Sequence, residues 1–170
     1  MSLDTLVGAW KEVRSGLMDE AALIPADQFG FRATPDTRSV AELLQHIIST
    51  QKLLGGELSR PDSNLGRAPF PELIKEYAPD VMAAAAKDDL MSLLKSSIEE
   101  AESRIRSFGD EALQTMTRRF DGKELSKYDF LMFAVSHEMY HRGQLTVFER
   151  LLHLDPALTT RFRKLFGAGE

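Results

Sequence analysis

His137 and His141 stand four residues apart in the segment SHEMYHRGQ, a spacing that puts both imidazoles on one face of a helix. On a wheel of about 100° per residue they fall about 40° apart. Phe130, Phe133, Ala134, Leu145, Phe148 and Leu152 share that face, so both rings stand inside an apolar stripe. A buried imidazole needs partners for both ring nitrogens. One divalent cation supplies a partner to each ring at once. The competing arrangement is a pair of core histidines hydrogen-bonded to Gln144 or Tyr140. A two-ligand site is incomplete, so metal binding requires a third donor from a facing helix. His46 is the candidate, at the shoulder of an earlier stripe near Leu43, Thr50 and Leu53. His153, the last of the four histidines, lies off the face of the pair and reads as a solvated ring near a helix C-terminus.

The run His137-Glu138-Met139-Tyr140-His141 also spells H-E-x-x-H, in which zinc peptidases draw two ligands and a glutamate base from one helix. That chemistry needs a third ligand, usually downstream, and an edge strand for the peptide, and no strand is evident anywhere. Glu138 is a tentative catalytic residue acting behind the ligands; the alternative is an i, i+4 ion pair with Arg142. Gln144 is placed to hold a ligand ring. Gly143, costly in a helix by roughly 1 kcal/mol, suggests a close helix approach.

These side chains must be positioned by helices. Leu3, Leu6, Trp10, Val13 and Leu17 predict a first helix over roughly residues 3–20. Ser39 and Glu42 have capping-box spacing for a second, striped by Val40, Leu44, Ile47 and Leu54 and ending near Gly55-Gly56 or shortly after. Residues 59–80 are rich in Pro and Gly and read as a long connection, with a short helix at ELIKEY. Asp88 or Asp89 is expected to cap a third long helix, striped by Leu90, Leu94, Ile98, Ala101, Ile105 and Phe108 and stopped by Gly109. FDGKELS reads as a loop. Ser126 and Asp129 predict the start of a fourth helix running to about His153, and Asp155-Pro156 reads as the cap and first-turn proline of a short last one closed by Gly167. With no period-two alternation, the expected fold is an all-α four-helix bundle, not simply up-down-up-down, in one domain over 1–170.

Composition narrows the function. The net charge is −5 and no basic stripe is present; RIRSF, TRRF and RFRK are scattered patches, so nucleic acid is not an expected partner. No stretch has the length of a membrane span. The absence of cysteine excludes thiolate ligands, disulfides and a cysteine nucleophile. The N-terminus shows no signal-peptide pattern, and a cytoplasmic location is expected.

SHEMYHRGQLTVFERLL, together with VAELLQHI about ninety residues earlier, resembles the DinB/YfiT-like family. The resemblance rests on H-x-x-x-H-R-G-Q plus the helix-two histidine and extends over most of the chain. It implies a four-helix bundle, often dimeric, with three histidines around a divalent ion, here His46, His137 and His141. Arg38 stands where relatives often have a tryptophan, and Tyr140 where many have another histidine. Some relatives are transferases or isomerases dependent on low-molecular-weight thiols.

A Zn²⁺ or Ni²⁺ ion on three imidazoles leaves an open position that can lower the pKa of bound water or take a substrate thiolate. With no cysteine in the chain, any thiolate must arrive with the substrate. The function classes that remain are a metal-dependent enzyme, a thiol-dependent S-transferase or a hydrolase; a non-catalytic metal-binding stress or sensor protein; and a bundle that binds metal adventitiously. A homodimer is expected through Tyr128, Val135, Met139 and Thr146 on the fourth helix; the alternative is that this face packs on another helix of the same chain.

Overall fold

The computed structural model describes residues 2–167. Six α-helices follow one another: α1 (Leu3–Leu23), α2 (Val40–Leu58), α3 (Phe70–Tyr77), α4 (Lys87–Arg106), α5 (Lys127–Leu151) and α6 (Ala157–Phe166). The four long ones form the bundle. α1 packs most closely on α5 and α2 on α4, with α1 against α4 and α2 against α5 closing the ring. First and last long helices are therefore neighbours, and the connection from α2 to α4, with α3 inside it, crosses the bundle.

The starts of α2 and α5 are written locally. Ser39 Oγ accepts from Glu42 N at 3.2 Å while Glu42 accepts from Ser39 N, and Ser126 and Asp129 repeat that reciprocal cap. α4 departs from expectation. It begins at Lys87, so Asp88 and Asp89 lie in its first turn, where they favour the helix dipole, and neither is the cap. It ends at Arg106; Gly109 lies just beyond, with φ of 70°. α1 runs on to Leu23 and α2 to Leu58, whereas α5 stops at Leu151, short of His153, which takes a positive φ of 61°. The start of α6 also corrects the sequence reading. Asp155 pairs with Arg163 at 2.7 Å, and Glu20 of α1 accepts from the free backbone N–H groups of Ala157 and Leu158.

The expected loop at FDGKELS holds a small hairpin. β1 (Met116–Arg118) pairs antiparallel with β2 (Glu124–Ser126), around Gly122 with φ of 81°. Arms of three residues are too short to show a period of two. The hairpin ties down the long connection: Leu65 N donates to Arg118 O at 2.8 Å.

Two apolar clusters fill the bundle. One gathers Leu17, Ile24, Leu44, Ile47, Leu90, Leu94, Leu145 and Phe148; the other Leu6, Trp10, Leu53, Leu58, Ile98, Ile105, Phe130 and Ala134. Between them on each long helix lies a buried polar residue: Arg14, Gln51, Ser97 and Glu138. Tyr128 and Val135, expected on a dimer face, pack against the second cluster within the chain, while Met139 is exposed.

Candidate metal centre

α2 and α5 bring three imidazoles to one point. His137 Nε2 lies 3.1 Å from His46 Nε2 and 3.1 Å from His141 Nε2. One donor atom from each ring falls within 4.8 Å of the others, and the three residues form a group that could hold a metal ion. His141 is buried and the other two are partly exposed, so the site opens at the edge of the bundle. Phe133, expected on the buried face, is 48% exposed and stands beside His137 at a ring separation of 5.6 Å.

Protonation favours a cation at this point. Burial pushes the His46 pKa down to about 4, helped by the positive charge of Arg38 and by His141. Burial, then His141, His46 and Arg38, takes His137 down to about 3. His141 is also lowered by burial, partly offset by its hydrogen bond to Gln144. Three neutral rings present lone pairs. His141 Nδ1 lies 2.7 Å from Gln144 Oε1, which can only accept, so the ring proton sits on Nδ1 and the Nε2 lone pair faces the cluster. His137 Nε2 cannot donate to both of its neighbours with one proton. For ligands about 2.1 Å from a tetrahedral ion the nitrogens lie roughly 3.4 Å apart, close to the spacing found. The donor set fits a divalent metal on nitrogen chemistry.

Gln144 is hydrogen-bonded to the His141 ring, and Tyr140 reaches Gln144 through a long 3.4 Å contact. His153 lies outside the cluster and is exposed.

Glu138 is placed differently from either sequence reading. Both carboxylate oxygens are taken inside the core: Oε1 accepts from Trp10 Nε1 at 2.6 Å and from Arg14, and Oε2 accepts from Arg14 Nε at 2.8 Å. The expected pair with Arg142 does not form; Arg142 crosses Gly16, where a Cβ would collide with its guanidinium, and reaches Glu20 at 3.0 Å. Gly143, by contrast, has nothing within 4 Å of where its Cβ would stand, so the close approach belongs to Gly16.

Arg14 escaped the sequence reading. All five of its N–H groups are used: on Glu138, on Leu94 O at 2.7 Å, on Ser97 Oγ at 3.1 Å and on Gln51. A sequence signal existed, because Arg14 interrupts the apolar stripe between Trp10 and Leu17. The layer lies directly behind His137, since Glu138 is the next residue along α5.

Cavities flank the triad. One of about 360 Å³ is lined by Arg38, Glu42, Gln45, His46 and Ser49, with Phe70, Ile74 and Met82 from the long connection. Another of about 540 Å³ is lined by Asp36, Thr37, Arg38, Leu43, Gln144, Val147 and Phe148.

A cross-connected four-helix bundle with three convergent histidines defines a class, and comparison with known proteins gives it a family. The DinB superfamily model matches residues 9–145, and the chain belongs to that superfamily. A DinB-like protein from Bacillus cereus shares the fold at a TM-score of 0.71, with 16% identity over 91% of this chain and 95% of the other. YfiT from Bacillus subtilis, described as a probable metal-dependent hydrolase with an unusual four-helix bundle topology, superposes at 0.67, with 13% identity over 89% and 88%. A mycothiol-dependent maleylpyruvate isomerase superposes at 0.66, with 14% identity over 85% of this chain and 61% of that one. The sequence matches no curated protein.

Proposed function

We propose that the chain is a metal-dependent enzyme, a transferase or hydrolase acting on a small molecule with a low-molecular-weight thiol as co-substrate. His46, His137 and His141 hold the ion, Zn²⁺ or Ni²⁺, through their Nε2 atoms. The observation that carries this reading is the meeting of those three nitrogens, with separations of 3.1 Å about His137, among rings kept neutral by burial. Bound there, the ion would supply Lewis acidity toward water or a thiolate. Gln144 fixes the His141 tautomer, and Glu138 steadies α5 behind His137 through Trp10 and Arg14. The thiol reading is supported by the mycothiol-dependent activity of a structural neighbour. A cytoplasmic location, where such thiols are abundant, is part of the same proposal. We also propose a homodimer joined through the outward face of α5.

Calorimetric titration of chelator-stripped, untagged protein with Zn²⁺ and Ni²⁺ tests the site. One ion per chain is expected. His46→Ala, His137→Ala and His141→Ala should each weaken binding by about tenfold or more, and His153→Ala should leave it unchanged. Wild-type affinity in His46→Ala would sink the three-histidine centre.

A further inference from the structure

Arg38 lines both cavities beside the triad. It is exposed, and among the described residues its guanidinium makes no hydrogen bond and no ion pair. The nearby carboxylates are already engaged. Asp36 accepts from Thr34 Oγ1; Glu42 accepts from Arg32 and, at 2.9 Å, from Ser39 N. Arg38 is thus an uncommitted positive charge on the same cavity that His46 lines.

A second vacancy in hydrogen bonding lies in the smaller cavity. Ser49 is 4% exposed and lines that cavity, yet its hydroxyl has no partner among the described residues. A buried hydroxyl without a partner costs about 1–3 kcal/mol, which a ligand atom in the cavity recovers once rotation about the Cα–Cβ bond turns the hydroxyl toward it. Ser49 sits three residues after His46 on α2, so the two side chains neighbour each other on the helix. Phe70, Ile74 and Met82 give the opposite wall an apolar surface. The cavity is therefore lined by a cation, a serine whose hydroxyl is unpaired, an apolar surface and a triad imidazole.

We propose that this cavity binds a small anionic ligand. Its carboxylate or equivalent anion pairs with Arg38, a polar atom bonds to Ser49, and its apolar part lies on Phe70, Ile74 and Met82. The reacting end meets His46. Arginine suits this role because its planar fork engages a carboxylate through two parallel hydrogen bonds. The inference rests on the metal reading and gives it a substrate class.

The test uses Co²⁺-loaded protein and two thiols of matched size, 3-mercaptopropionate and 3-mercapto-1-propanol, followed by the sulfur-to-cobalt absorption band. The anionic thiol should bind about tenfold more tightly than the neutral one. Arg38→Met should abolish that preference while still taking up one Co²⁺ per chain and binding the neutral thiol, and Arg38→Lys should restore part of it. Ser49→Ala should weaken both thiols. Equal preference in wild type and Arg38→Met, in protein that binds Co²⁺ normally, overturns the anion site alone. Wild-type protein that takes up no Co²⁺ overturns the metal centre, and this inference with it.

Discussion

Arg14 and Glu138 show how one buried ion pair links structure to the site. Both are almost fully buried, and among the described residues their polar partners are each other and the groups of Trp10, Gln51, Ser97 and Leu94 O. Removing one partner leaves a charge in the core with nothing to balance it, at a cost of about 3–5 kcal/mol. Arg14→Met is therefore expected to lower unfolding stability by about that amount in urea. Arg14→Met combined with Glu138→Leu should recover much of the loss, because two apolar side chains avoid the desolvation of both charges. A single variant within about 0.5 kcal/mol of wild type would show that the pair is not the closed unit described. The histidines were legible from residue type and spacing, since i, i+4 on an apolar face leaves few arrangements. The route taken by Glu138 was not. Its local sequence offers Arg142 one turn away, and only tertiary packing sends Arg142 over Gly16 to Glu20 and turns Glu138 toward Arg14.

Helices α1, α5 and α6 meet at a second buried acidic site. Glu20 accepts from Arg142 and from the first backbone N–H groups of α6, and Glu149 of α5 lies fully buried nearby. Burial, and then the adjacent Glu20, push the Glu149 carboxyl up from 4.5 to about 8, against the weaker pull of Arg150 and Arg142. A proton on Glu149 can be donated to Glu20, which satisfies one of two oxygens that otherwise have no partner. Below about pH 4.5 folded and unfolded chains both carry that proton. Between 4.5 and about 8 the folded chain alone keeps it, so this group's contribution to stability falls as pH rises and is lost above about 8. Urea unfolding at pH 6 and pH 9 should show the drop, and Glu149→Gln, neutral throughout, should flatten it. An unchanged slope in that variant would assign the pH dependence elsewhere. At this scale the sequence was informative where signals are local: the serine caps of α2 and α5 needed only neighbours three residues away. The cap of α6 was hidden because its acceptor stands in α1, far off in sequence, and the hairpin because its arms are so short.

For the whole molecule, the architecture followed from four apolar stripes and one long connection, which leave α1 and α5 to close the bundle. Association between chains is a property of the surface. The outward side of α5 exposes Met132, Phe133, Met139, Tyr140, Val147 and Leu151, with Tyr140 at 66% and Val147 at 52% exposure. Ser136 and Gly143 lie among them, and the open space at Gly143 leaves a flat place on the helix. A run of exposed apolar side chains along one central helix is unusual for a monomer. A second copy is the occupant we propose for it, because a two-fold axis would lay the same face against itself. Light scattering at micromolar concentration should then give about twice the 19.1 kDa of one chain. Gly143→Glu, which places a charge at the crossing and whose Cβ would have nothing within 4 Å, should return the monomer and still take up one Zn²⁺ per chain. Wild-type protein at the monomer mass would refute the α5 interface. A dimer that survives Gly143→Glu would move the interface to another face of the bundle.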